Sequence, residues 1–498
     1  MVELATVLAG FGDAFSPVNL LFVVFGIAVG QFVGAVPGIG PVMAMAIAIP
    51  FTFSLDPLPA IAFLVGVNKG GLVGGAIPAV LLNTPGTPDA AATALDGYPL
   101  ARQGKPLKAT KMALYSSVTG DTFSDLVLIT VSAPLAVLAL RMGPVEIVAL
   151  MVLAFSVLAG LIGDSLSKGV IAAALGLLCA CVGTDPENYT PRLLFGYWEL
   201  YDGLPLASVA IGMLAVPELL RRAAAAGPVR PAIEFTGSGA PADRRVSWRE
   251  YWSCRFTLLR GAAAGTLLGA LPGIGSTAAA FMSYALTKAA AQDPRSFGQG
   301  NIQGIAAAES ANSAVVGANL IPLLTLGIPG SVSAALLVSA FMIHGLQPGP
   351  LLFETQGRLV YGLFGAMVMA NIVNLILGHA GLRFWVKVVS APAPVIISTA
   401  LVLCTVGVSL AAGGLFGVAV MLLFAALGYL MVAFGYSPVI FVIAFFLGPR
   451  FEISLSQSLA LMNGDPTQVL QHPVAVILLV LSAVSGCCFL ARKPAAST

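Results

Sequence analysis

Several polar residues interrupt long apolar stretches of this 498-residue chain: Asn68, Lys69, Asp121, Asp125, Glu309, Asn312, Asn319, Asn371 and Asn374. Polar and ionisable groups in such settings are costly, and they mark ion pathways, proton relays and counter-ions for ligands. Lys69 lies deep in the apolar run that begins at Pro57, where it either attracts an anionic substrate or pairs with an acid. Glu309 and Asn312, three apart, share a helix face and are suited to a cation or to each other. Asp121 and Asp125, four apart, suit a proton or cation site, unless the nearby Lys111 marks the membrane interface.

A second kind of chemistry lies in the backbone. Pro37-Gly38-Ile39-Gly40 and Pro272-Gly273-Ile274-Gly275 cannot continue a helix, because proline removes an N–H and glycine permits positive φ. They either turn tightly at the interface or leave carbonyls and half-helix ends free at membrane depth to bind an ion. Two further breaks, Asn83-Thr84-Pro85-Gly86-Thr87-Pro88 and Leu326-Gly327-Ile328-Pro329-Gly330-Ser331, each precede an Ala-rich helical stretch. Free N–H groups there, joined by the hydroxyls of Thr84, Thr87 and Ser331, suit a carboxylate, although helix capping asks for the same residues.

The elements that carry these groups belong in a bilayer. The chain is 58% hydrophobic and 9% charged, with a mean hydropathy of +0.95, against about 25% charged residues in soluble domains. Its apolar runs provide roughly 10–14 membrane segments at about 20 residues per span. The fold class expected is an all-α polytopic membrane protein. Nucleic-acid binding has no support, and there is no His-Glu-x-x-His, Gly-x-Ser-x-Gly or P-loop, so neither an enzyme nor an ATP-driven pump is expected. No cofactor is expected. His344, His379 and His472 lack metal-ligand spacing, and the six cysteines read as small apolar residues.

Basic residues set the orientation. Arg102, Lys105, Lys108 and Lys111 mark one cytoplasmic loop, the stretch 221–255 with seven arginines a second, and Arg492-Lys493 a cytoplasmic C-terminus. Residues 1–68 contain no Lys or Arg, so no cleavable signal is expected and the N-terminus is placed outside, with the acidic stretch 184–202.

The chain also repeats itself. Gly34-Ala35-Val36-Pro37-Gly38-Ile39-Gly40 recurs as Gly269-Ala270-Leu271-Pro272-Gly273-Ile274-Gly275, and downstream Asn68 matches Asn312, Ile77-Pro78 matches Ile321-Pro322, and Pro85-Gly86 matches Pro329-Gly330. The first copy leaves through a basic loop and the second enters from one, so the two are expected to be inverted, with broken helices or re-entrant hairpins and ligand sites near the midplane. The domains expected are a first membrane repeat at 1–220 with its core at 17–111, a basic cytoplasmic linker at 221–256, a second repeat core at 257–390 and C-terminal membrane helices at 391–498.

The paired Pro-Gly-Ile-Gly motifs, the block from Asn68-Lys69-Gly70-Gly71 to Asn83-Thr84-Pro85-Gly86, Asp96-Gly97-Tyr98-Pro99 before a basic loop, and Gly448-Pro449 before Glu452 resemble the large membrane subunit of the tripartite tricarboxylate transporter family. The resemblance implies a bacterial inner-membrane protein working with a small four-helix membrane subunit and a periplasmic solute-binding protein. It further implies import of small carboxylates such as citrate, driven by a sodium or proton gradient.

These readings converge on an expected site. Asn83, Thr84, Pro85, Gly86, Thr87, Gly327, Pro329, Gly330, Ser331 and Lys69 would hold the carboxylate, and Gly38, Gly40, Gly273, Gly275, Asn68, Asn312 and Glu309 the cation, Na+ or H+. The alternative is a stand-alone channel or a non-transporting membrane scaffold.

Overall fold

A computed structural model describes residues 4–36, 40–162, 165–186, 188–225, 241–273, 275–389 and 393–491. The chain is an all-α polytopic membrane protein, and six of its described helices are long and apolar enough to cross a membrane. Among the described residues the strands are confined to Gly183–Thr184 paired antiparallel with Pro191–Arg192.

Two compact units form, Met1–Pro134 with Arg221–Val402 and Leu135–Leu220 with Leu403–Thr498. This division cuts across the segment boundaries drawn from the sequence. Both sets of broken motifs fall in the first unit, whereas residues 135–220, grouped above with the first repeat, pack with the C-terminal helices.

In the first unit the copies share an order of elements. The first runs α1 (Pro17–Gly34), α2 (Pro41–Ala48), α3 (Pro57–Leu82), α4 (Ala90–Arg102) and α5 (Pro106–Ala139). The second runs α6 (Arg255–Gly269), α7 (Gly275–Ala289), α8 (Ile302–Leu326), α9 (Val332–Ile343) and α10 (Gly357–Val389). At a rise of 1.5 Å per residue, α3 and α8 reach about 38 Å, beyond the roughly 30 Å of a hydrocarbon core. By contrast α2, α4, α7 and α9, of 8, 13, 15 and 12 residues, reach only about 12–22 Å and cannot span alone. Each copy thus mixes helices long enough to span with short ones, and its central long helix, α3 or α8, has a short helix on either side in sequence.

The long helices stop for the same reason in both copies. Pro78 and Pro322 lie inside α3 and α8 and each removes a ladder donor about one turn before the end. The chain then turns left-handed, at Asn83 (φ 54°) and at Gly327 (φ 73°), where glycine and asparagine are the residues least penalised.

Small residues let these helices approach. A Cβ on Gly26, Gly30 or Gly34 of α1 would lie 2.3, 2.3 or 2.2 Å from the carbonyl oxygens of Phe63, Val67 and Gly71 on α3. Gly265 of α6 meets the Ala311 carbonyl of α8 in the same way, at 2.2 Å. Such close backbone packing, rather than exclusion of water, holds helices together in lipid. In consequence every residue from Pro59 to Leu82 of α3 and from Gly304 to Thr325 of α8 is buried. Surrounded by protein on all sides, these two helices accommodate Lys69, Glu309, Asn312 and Asn319 that a lipid-facing helix would not.

In the second unit, the Leu166–Ala180 helix packs on Pro438–Leu461, where a Cβ on Gly176 would lie 2.3 Å from the Phe441 carbonyl oxygen. The Pro144–Ile162 helix packs on Pro473–Ala491, with Ser156 Oγ donating to the Ser482 carbonyl oxygen at 3.0 Å. Arg192 grips Glu452 with two hydrogen bonds of 2.5 and 3.1 Å, fastening the 184–202 stretch to the Pro438–Leu461 helix.

Candidate functional site

Within each copy the two breaks meet. In the first, the Gly86 N–H donates to the Gly75 carbonyl at 3.2 Å, and a Cβ on Gly86 would sit 2.8 Å from the Gly34 carbonyl oxygen. A Cβ on Gly40 would lie 3.1 Å from Thr87 Cγ2. In the second, the Gly273 N–H donates to the Gly330 carbonyl at 3.0 Å, and a Cβ on Gly330 would lie 2.8 Å from Asn319 Oδ1. Gly75 and Asn319 are matching positions of the repeat, so the copies build one local geometry with different chemistry. Where the first presents hydrogen, the second presents an amide.

Gly273 (φ 91°) and Gly275 (φ 71°) both adopt the left-handed region that the Pro-Gly-Ile-Gly motif anticipates. Gly40 is extended and opens α2. Pro37, Gly38, Ile39 and Ile274 lie outside the described residues, so the part of the cation set resting on Gly38 has no structural description.

The hydroxyls of the second breaks face helix starts. Thr87 Oγ1 accepts from the Ala90 N–H at 3.3 Å, and Ser331 Oγ accepts from the Ala334 N–H at 3.2 Å, capping α4 and α9. Both hydroxyls are therefore engaged locally, at the N-termini of two short helices reached through the turns that contain Thr84, Pro85 and Pro329.

The breaks of one copy also meet those of the other, through a residue the sequence reading passed over. Asp89, at the N-terminus of α4, is 4% exposed and lies near Thr87, near Ser276 just after the first break of the second copy, and near Asn312 on α8, with its Oδ2 unpartnered. It also lies within electrostatic reach of Glu309, whose Oε1 accepts a 2.5 Å hydrogen bond from the Thr93 hydroxyl of α4. Among the described residues, Asp89 Oδ2, Glu309 Oε2, Asn319 Oδ1 and both amide atoms of Asn312 are buried without a hydrogen-bond partner. Buried polar groups are ordinarily paired, so unsatisfied oxygens on two buried acids are a cost to the fold in the absence of a positive partner. Asp89 adjoins the Asn83–Pro88 turn; its position in the chain was the available signal, and only its neighbours give it meaning.

Of the expected cation residues, Glu309 and Asn312 belong to this group. Asn68 is 5% exposed on α3, beside Lys69, and the group draws instead on Asp89 and Thr93.

Lys69, placed above among the carboxylate-holding residues, resolves to its other reading. Its ammonium is fully buried, 2.7 Å from Asp125 Oδ2 and 3.4 Å from Asp121 Oδ1, and donates to Asn371 Oδ1 at 2.8 Å. Asn371 Nδ2 donates back to Asp125 Oδ2 at 2.8 Å, and Asn374 is held by Gln31 of α1 at 2.6 Å. The charge of Lys69 is engaged by two acids of α5. Desolvation drives this pairing, since an ammonium without a counter-ion at that depth is the costlier state.

The chain is 32% identical over 490 residues, 97% of its length, to an uncharacterized 52.8 kDa protein in the TAR-I ttuC′ 3′ region of Agrobacterium vitis, of which it covers 95%. It is 35% identical over 230 residues to an uncharacterized protein in the TAR-II ttuC′ 3′ region of the same organism, covering 94% of that protein and 46% of this chain. No solved structure matches it. The description "Tripartite tricarboxylate transporter TctA family" matches residues 20–443, most of the length over which the paired breaks, the buried acids and the glycine stripes have been described. The chain belongs to the tripartite tricarboxylate transporter TctA family.

Proposed function

We propose that this chain is the large membrane subunit of a cation-coupled secondary transporter that imports small carboxylates through the bacterial inner membrane. The observation that carries the reading is the meeting of helix breaks from both copies around Asp89, Glu309 and Asn312, with their unpartnered oxygens. A carboxylate binds at the short-helix N-termini behind Thr84 and Ser331, and a cation, Na+ or H+, binds at the acid cluster beside them. Binding of either neutralises part of the other's field, which is how an ion gradient drives an anion inward. The copies run in opposite senses across the bilayer, the N-terminus is periplasmic and the C-terminus cytoplasmic, and alternating access moves one part against another around the shared site.

In this reading a periplasmic solute-binding protein delivers the substrate and a small four-helix membrane subunit completes the assembly. A channel would conduct without a gradient-linked maximum, and a scaffold would move nothing.

The test is uptake of labelled citrate and other di- and tricarboxylates into proteoliposomes holding the chain, its small subunit and its binding protein, with sodium and proton gradients imposed separately. Accumulation that needs one gradient and all three proteins is expected. The paired substitution Thr84→Ala and Ser331→Ala is expected to reduce substrate affinity by about tenfold, the worth of one hydrogen bond to a charged group, with the chain still folded. Uptake kinetics unchanged by the pair would remove both hydroxyls from the site.

A further inference from the structure

A second buried charge cluster lies apart from the breaks, and its charges do not balance. Lys69 of α3 faces Asp121 and Asp125 of α5, all three within 1% of complete burial. One positive charge stands against two negative ones. Asp125 is engaged through Oδ2, which accepts from Lys69 at 2.7 Å and from Asn371 at 2.8 Å. Asp121 touches the ammonium only at 3.4 Å. Among the described residues, Asp121 Oδ1, Asp121 Oδ2 and Asp125 Oδ1 have no hydrogen-bond partner.

Among the described residues no other charge offsets the excess. The ionisable groups that act on Asp121 are Lys69 from α3 and Asp125 from its own helix. From α10 the neighbour is the neutral Asn371. Helix α8 presents the Ser310 carbonyl against Gly120 and the Ser313 hydroxyl against Ser117. A net negative charge inside protein at membrane depth is strongly disfavoured unless a positive partner binds.

We propose that Asp121 is a proton-binding site and that the Lys69–Asp121–Asp125 cluster takes up one proton when it is enclosed. The proton bonds to Asp121 Oδ2, coming from water on one side, and the Oδ2–H bond breaks to release it when the cluster is rehydrated from the other. Lys69 stays protonated and paired with Asp125 throughout. A metal ion does not fit this role, because hard cations need several converging oxygens and the ammonium already occupies the space between the two carboxylates. The inference stands apart from the acid cluster at Glu309 and does not depend on which ion or substrate that site takes.

The experiment is infrared difference spectroscopy of the full chain in lipid nanodiscs, in H2O and D2O, titrated from about pH 5 to about pH 9, a range that covers carboxyls displaced by burial. The protonated-carboxyl C=O band is expected to lose the intensity of one group in Asp121→Asn. Asp125→Asn is expected to lose the same intensity, because Lys69 then faces a single acid and the pair is neutral. Glu309→Gln is expected to retain that component, and added sodium chloride at fixed pH to leave it in place. A band unchanged in both aspartate variants would overturn the proposal, as would its displacement by sodium, and the pair of variants guards against one of them failing to fold.

Discussion

Glu309→Gln and Asp89→Asn, made singly, are each expected to lower gradient-driven uptake by roughly a hundredfold while leaving the thermal midpoint of the purified chain unchanged or raised. The two effects have opposite signs for one reason. A buried carboxylate with an unpartnered oxygen is a cost to the fold, and exchanging it for an amide of equal shape removes that cost. The cation, however, loses a charged ligand, and breaking one member of a buried charge pair costs about 2–5 kcal/mol of binding. At 1.4 kcal/mol per factor of ten, the lower part of that range already gives about a hundredfold. Uptake of a carboxylate delivered by its binding protein, followed beside thermal unfolding of the same preparations, reads both. Variants that gain stability and keep full uptake would show that Asp89 and Glu309 do not carry the coupling cation.

Asp96→Ala is expected to be the most damaging single substitution for the fold of the first unit, by about 3–5 kcal/mol. Asp96 is fully buried on α4, and its Oδ1 accepts from the N–H groups of Gly298, Gly300 and Asn301 at 2.8, 2.9 and 2.8 Å. Its Oδ2 accepts from the Tyr284 hydroxyl of α7 at 2.9 Å. One carboxylate thereby fastens the first copy's broken helix to the start of α8, at the turn that carries Asn301 as N-cap. Alanine leaves four donors without an acceptor. Asp96→Asn keeps one oxygen and is expected to cost about 1–2 kcal/mol, since its amide must meet either the N–H groups or the tyrosine hydroxyl with a donor. Thermal unfolding in nanodiscs, read by tryptophan fluorescence, ranks the two. An alanine variant as stable as the parent would show that the three N–H groups find other acceptors.

Helix α4 links stability to transport. If α4 is the element by which Asp89 and Thr93 reach Glu309, then loosening it at Asp96 disturbs the acid cluster as well. Asp96→Asn is therefore expected to weaken transport more than its modest loss of stability implies.

Much of this protein follows from its sequence alone, because it rests on local rules. Apolar composition places the helices in a bilayer whatever their arrangement. Prolines at 78 and 322 and the residues at 83 and 327 end α3 and α8, since ladder donors and left-handed φ are properties of a residue and its near neighbours. The duplicated motifs identify matching positions, and the i, i+3 spacing of Glu309 and Asn312 puts them on one face. What only the tertiary structure decides is which residues meet across the chain. Thr93 and Glu309 are 216 residues apart and Lys69 and Asp125 are 56 apart, and no periodicity encodes such partners. Lys69 had two readings until helix packing supplied Asp125, and Asp89 adjoined a turn without a role until packing supplied Glu309 and Asn312. The same holds for residues 135–220, which the order of the chain assigns to the first repeat and packing assigns to the C-terminal helices. A helix break is fixed by the dihedral preferences of a few consecutive residues; the environment of a buried charge is fixed by whichever helices close over it.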